Sequence, residues 1–164
     1  MSEPKTRELE ARAKVGNFTF SNSSATTLDS YRSRLQDFAD EREWNQYHTP
    51  RNLMLALTGE VGELAEIFQW KGDDQCDVGL PAFSEKDRTK VEDEMADVFA
   101  YLVRMATVCH VDLPAALERK MAKNAVKYPK DLVKGSSAKY NEYVQNHDGG
   151  AVVAEAGCEA PPVS

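Results

Sequence analysis

Between Arg51 and Trp70 the apolar residues fall at Leu53, Leu57, Val61, Leu64 and Phe68, the three-and-four spacing of one helical face. Similar stripes predict a helix on either side of this one, and one more beyond. Thr26 or Thr27 caps a first helix running to about Glu43, with Leu28, Tyr31, Leu35, Phe38 and Ala39 on its inner face. Ser84, followed by Glu85 and Asp87, opens a third helix that reaches about His110. Its stripe is Val91, Met95, Val98, Phe99, Leu102, Met105 and Ala106. Asp112 caps a fourth, in whose first turn Pro114 loses no hydrogen bond; Leu117, Met121, Asn124 and Tyr128 line it and Pro129 ends it.

The connecting segments, Trp44–Pro50 and Lys71–Pro81, are rich in turn formers. Nothing alternates with period two for long enough to make a strand. The expected fold is all-α, an antiparallel four-helix bundle occupying residues 25–140. Residues 1–24 read as a flexible arm that only Val15, Phe18 and Phe20 can dock, and residues 141–164 as a disordered tail. Four short helices bury little core in one chain, so the bundle is expected to associate as a dimer or tetramer.

One polar residue breaks the second stripe. With Leu53 at zero and about 100° per residue, Glu60 falls near roughly 340°, among Leu53, Ala56, Leu64 and Ile67. Glu63 lies at the stripe's edge beside Trp70. An unpaired carboxylate facing a core is too costly to keep, so Glu60 needs a proton, a basic partner or a metal ion. The third helix repeats the anomaly with Glu94 and Asp97. Residues three apart share a face, so two antiparallel helices can bring four carboxylates together. Oxygen-only ligands favour magnesium, manganese or calcium over zinc or copper. A di-iron bundle requires Glu-xx-His, and none of His48, His110 and His147 follows a Glu at that spacing. A Glu-xx-Glu pair is most often a solvated face, and that reading stays open here.

Charge narrows the classes further. The 164 residues carry a formal net charge of −7, which argues against a general nucleic-acid binder. The 3 cysteines are scattered and form no CxxC pair, so neither a zinc site nor a disulfide framework is expected. No apolar run approaches the roughly 18 residues of a membrane span, and residues 1–16 are too polar for a signal peptide. The default location is cytoplasmic, with nuclear or organellar presence open. The fourth helix supplies cations. Lys120 and Lys127 flank Asn124 and Tyr128, a set suited to phosphate or base recognition, although Lys123 and Lys127 also suit a solvated surface. Trp44 and Trp70 sit at helix ends, where an indole can stack on a base.

The run from Glu43 through Trp70, followed by Glu94-Met-Ala-Asp97, Asp112-Leu-Pro114, Lys120-Met-Ala-Lys-Asn124 and Lys127-Tyr-Pro129, resembles the all-α nucleoside triphosphate pyrophosphatases of the MazG type. The resemblance covers about residues 27–140. It implies Mg²⁺-dependent hydrolysis of a deoxynucleoside triphosphate, with dCTP or a modified dCTP foremost, to the monophosphate and pyrophosphate. It also implies a homotetramer and a role in nucleotide-pool sanitation. Glu60, Glu63, Glu94 and Asp97 match the metal-binding acids, with Glu60 and Glu63 closest to the chemistry. Trp44, Trp70, Tyr101, Asn124 and Tyr128 match positions near the nucleotide, and Lys120 a phosphate contact. Gln36, also expected near the substrate, stands where the dCTP-preferring members are expected to carry a His in the first helix. The Gln36 amide donates and accepts but never becomes cationic, which leaves base preference open. Two rivals remain: a diphosphatase for another nucleotide such as dUTP, and a non-catalytic nucleotide-binding helical protein.

Overall fold

The computed structural model describes Phe20 and residues 26–134. Most of the expected arm, the whole expected tail and the last few residues of the expected domain lie outside the described residues. Phe20, offered by the pattern as an anchor for the arm, is exposed. Among the described residues there is no strand. The helices are α1 (Leu28–Asp40), α2 (Pro50–Gln69), α3 (Glu85–Val108), α4 (Leu113–Lys127) and a short α5 (Lys130–Val133), with a 3₁₀ turn at Trp44–Gln46. No single helix among these residues is long and apolar enough to cross a membrane.

Each long helix starts at a side-chain cap that satisfies an otherwise orphaned N–H. Thr27 and Ser30 form a reciprocal capping box, with hydrogen bonds of 3.1 and 2.9 Å. Thr49 accepts from the Asn52 N–H ahead of Pro50, Ser84 from Asp87, and Asp112 from Ala115. Two helices end just short of the expected Glu43 and His110, α1 at Asp40 and α3 at Val108, and a left-handed residue follows each end. Glu43 has φ 54° and turns the chain into the 3₁₀ segment after α1. His110, also at φ 54°, closes α3: its N–H reaches the Thr107 carbonyl and the Val111 N–H reaches that of Ala106. This is the double bond pattern that usually has glycine at the left-handed position.

The chain divides between Val111 and Asp112 into two compact units. In the first, α2 and α3 run antiparallel. Glu60 lies beside Asp97, whereas Lys71, just past the far end of α2, pairs with Asp87 near the start of α3. Phe68 and Phe83 meet at 5.4 Å between ring centroids at that same end. Tyr31 packs edge-on to Phe99 and Gln36 bonds Arg104, so α1 runs alongside α3 in the same direction. The three helices thus alternate in direction along the chain. Leu53, Ala39, Val91, Val103, Ala106 and Phe83 form the buried core. The second unit holds α4 and α5, and Pro129 separates them.

Several stripe residues that the pattern assigned to a core are exposed in the single chain, among them Val61, Met95, Phe99 and Leu102. Leu53, at 1% exposure, is the side chain whose burial matters most. Leu53→Ala is expected to lower the unfolding free energy by about 2–5 kcal/mol in urea titrations. A loss under about 1 kcal/mol would remove it from the core.

Candidate active site

Glu60 and Glu63 occupy one face of α2, and Glu94 and Asp97 one face of α3, each pair three residues apart. Antiparallel packing brings the two faces together. Carboxylate oxygens of Glu60, Glu94 and Asp97 all lie within 4.8 Å of one another. Glu60 and Glu94 are half-buried, and Asp97 and Glu63 are exposed. Glu60 therefore sits at the margin of the core rather than inside it. Burial raises the pKa of Glu60, and the charges of Asp97, Glu63 and Glu94 add to the effect. Glu94 is raised by burial and then by Glu63, Asp97 and Asp93, with Lys90 opposing. Burial, together with Glu60 and Asp97, also raises the Tyr101 phenol. A set of converging carboxylates offers hard oxygen donors, and it fits a hard divalent cation.

The acids stand between two hollows. One, of about 460 Å³, is lined by Glu63, Glu94, Trp70, Lys71, Asp87 and Lys90 among others. Here Lys71 Nζ is 3.1 Å from Asp87 and 4.7 Å from the centre of the Phe83 ring, so its charge is held at the rim. The other hollow, of about 270 Å³, is bounded by Leu35, Phe38, Trp44 and Ala100, with Asp97 and Tyr101 on the acid side and His48 and Arg104 opposite. Trp44 meets Phe38 edge-on at 5.8 Å and His48 at 6.0 Å. One hollow is charged and the other mostly apolar; Glu63 and Glu94 border the first and Asp97 the second.

A polar cluster adjoins the apolar hollow. Arg104 is 4% exposed. It donates to Gln36 Oε1 at 2.6 Å and to Asn45 Oδ1 at 3.1 Å, and lies 3.2 Å from His48 Nδ1. Arginine only donates, so His48 Nδ1 accepts and its proton sits on Nε2. Burial, then the Arg104 charge, lowers the His48 pKa and keeps the ring neutral. Asp40 accepts from Gln36 and from Asn45 on their other side.

Of the residues expected from the sequence, the structure brings Glu63, Glu94 and Trp70 to the charged hollow and Asp97, Trp44 and Tyr101 to the apolar one, with Glu60 clustered beside Glu94 and Asp97. Gln36 is near but outside the lining, its amide held between Arg104 and Asp40. Lys120, Asn124 and Tyr128 follow one another at four-residue spacing along one side of α4 and its C-cap, in the second unit. Lys71, Lys90, His48 and Arg104 were not anticipated. Arg104 had a usable signal, because Asp97, Tyr101 and Arg104 share a helical face.

The raised carboxylates make a test in the absence of divalent ions. In the folded chain Glu60 and Glu94 bind protons at higher pH than their ordinary 4.5. Their repulsion is therefore felt in full at neutral pH and is relieved as the pH falls through the raised values. Glu60→Gln is expected to raise the melting temperature clearly at pH 7.5 and less at pH 5, read by circular dichroism in EDTA. An equal shift at both pH values would contradict the geometry.

The chain is similar to known proteins in sequence and in fold. A MazG-like family model matches residues 56–143. The dCTP pyrophosphatase 1 of Rattus norvegicus is 48% identical over 133 residues, which is 81% of this chain and 76% of that protein. The Homo sapiens protein of the same name is 47% identical over the same shares. A solved pyrophosphatase from Archaeoglobus fulgidus aligns with a TM-score of 0.56 at 36% identity, covering 70% of this chain and 100% of its own. With its paired acids on facing helices, the chain belongs to the MazG-like family.

Proposed function

We propose that the protein hydrolyses a deoxynucleoside triphosphate, dCTP or a modified dCTP, to the monophosphate and pyrophosphate, with Mg²⁺ held by Glu60, Glu63, Glu94 and Asp97. The observation that carries this reading is that the acid cluster borders a charged hollow through Glu94 and an apolar one through Asp97. A nucleoside triphosphate has the same division, with a polyanion at one end and a flat, mostly apolar base at the other. The names of the relatives supply the substrate class.

When bound, Mg²⁺ neutralises triphosphate charge and polarises the phosphorus under attack. The chain's own residues do the rest. Glu63, exposed at the edge of the charged hollow, orients a water toward the α-phosphorus and takes its proton. The bond from the α-phosphorus to the bridging oxygen breaks, and pyrophosphate leaves on the side of Lys71 and Lys90, whose charges oppose its own. Trp44, with Phe38 behind it, gives the base a stacking wall. Lys120, Asn124 and Tyr128 of α4 are assigned to phosphate and base from the resemblance. The exposed apolar residues Val61, Met95, Phe99 and Leu102 support assembly into a homotetramer.

A pyrophosphate-release assay across the canonical and 5-modified triphosphates, with and without Mg²⁺, tests the whole reading. Turnover is expected only with the ion, and dCTP or a modified dCTP is expected to lead. Glu60→Gln and Asp97→Asn should each lower kcat at least about 100-fold with helicity intact; full activity in either would sink the metal assignment. Trp44→Ala should raise KM by about 5- to 100-fold, as loss of one stacking partner does, and leave kcat nearly unchanged.

A further inference from the structure

The apolar hollow contains one group that stacking does not use. Arg104 lies along α3 from Asp97 and Tyr101 at the spacing of one helical face, and all three line this hollow. At 1.5 Å per residue, Arg104 is about 10 Å along the helix from the acid site. The α-phosphate and the far edge of a base are separated by a distance of the same order. A nucleotide with its phosphates at Asp97 and its base against Trp44 therefore brings the edge of that base to Arg104.

The chemistry of the cluster says what that edge must carry. Arg104 bonds two amide oxygens and one imidazole nitrogen, all neutral acceptors. The nearest carboxylate it engages, Asp40, stands behind the Gln36 and Asn45 amides. Those amides are fixed, with their oxygens toward Arg104 and their nitrogens toward Asp40. The guanidinium is thus held rigidly and its charge is only partly answered. Its Nε–H is buried and has no partner among the described residues, a costly arrangement unless an acceptor arrives. A donor-only group cannot receive an amino group.

We propose that Arg104 is the specificity-determining residue for the base. It donates to the acceptor edge of the pyrimidine, which in cytosine is ring N3 and carbonyl O2, and turns the 4-amino group away. This deepens the pyrophosphatase reading and rests on it. The neutral His48, Gln36 and Asn45 do not touch the base; they hold the guanidinium in place.

The test is the kcat/KM of three triphosphates: dCTP, 3-deaza-dCTP, in which C–H replaces N3, and the 2-aminopyridine C-nucleoside, in which C–H replaces the C2 carbonyl. With the unaltered protein, at least one analogue is expected to fall about 10- to 100-fold below dCTP, the loss of one charged hydrogen bond. Arg104→Met should lower dCTP by the same factor and leave that analogue unchanged. Arg104→Lys, which keeps a cation with poorer aim, should fall between. Equal turnover of all three substrates by the unaltered protein overturns the assignment, without recourse to a variant that folds poorly. So does a uniform fall on all three with Arg104→Met, the mark of a structural role. Absence of pyrophosphate from every triphosphate, with Mg²⁺ present, would instead sink the underlying pyrophosphatase reading and this assignment with it.

Discussion

The mutual repulsion of carboxylates across the α2–α3 seam is the constraint on which the first unit depends. Left to themselves, two acidic faces would separate, and only contacts on both sides of the seam hold them together. Leu53 and Val103 are buried toward one end. At the other end Phe68 packs on Phe83, and Lys71 reaches Asp87. The Lys71–Asp87 pair is partly open to solvent and screened by it, so apolar packing carries most of the load. A cation that binds the seam in the native state alone stabilises the fold by mass action. Site and fold are thus coupled through one set of charges.

The same arrangement resolves an apparent conflict in the charge. A chain of net charge −7 has no general attraction for a polyanion, and none is needed when the attraction is local. Under the proposed function, a divalent ion at the seam and the lysines of the charged hollow would oppose the phosphates, while the apolar hollow would meet the opposite end of the ligand. On that reading, discrimination between bases would fall to the few polar groups at the edge of the apolar side.

Much of this was legible in the sequence, for identifiable reasons. The four long helices follow from period and caps, because Thr27, Ser84 and Asp112 are strong local signals. Glu60 and Glu94 were visible as polar residues at the wrong angle. Helix ends were less legible: the left-handed turns at Glu43 and His110 carry no glycine, so nothing marked them. Arg104 was missed because its partners His48, Asn45 and Gln36 are 56, 59 and 68 residues away. A helical wheel cannot see a cluster assembled from three segments. The expected role of Gln36 as a base contact also gives way, under the proposed assignment, to a supporting one.

The turn that carries Trp44 is anchored on several sides. Asn45 ties it to Asp40, His48 to Arg104, and Asn52 of α2 holds the Tyr47 carbonyl at 2.9 Å. The Trp44 turn is consequently ordered by contacts within the chain, and the entropy of fixing it is spent during folding. Association then loses less free energy to immobilising loops. Under the proposed function, residues such as Asp40 and Asn52 would influence affinity without touching the nucleotide, by limiting how many conformations the Trp44 turn can visit.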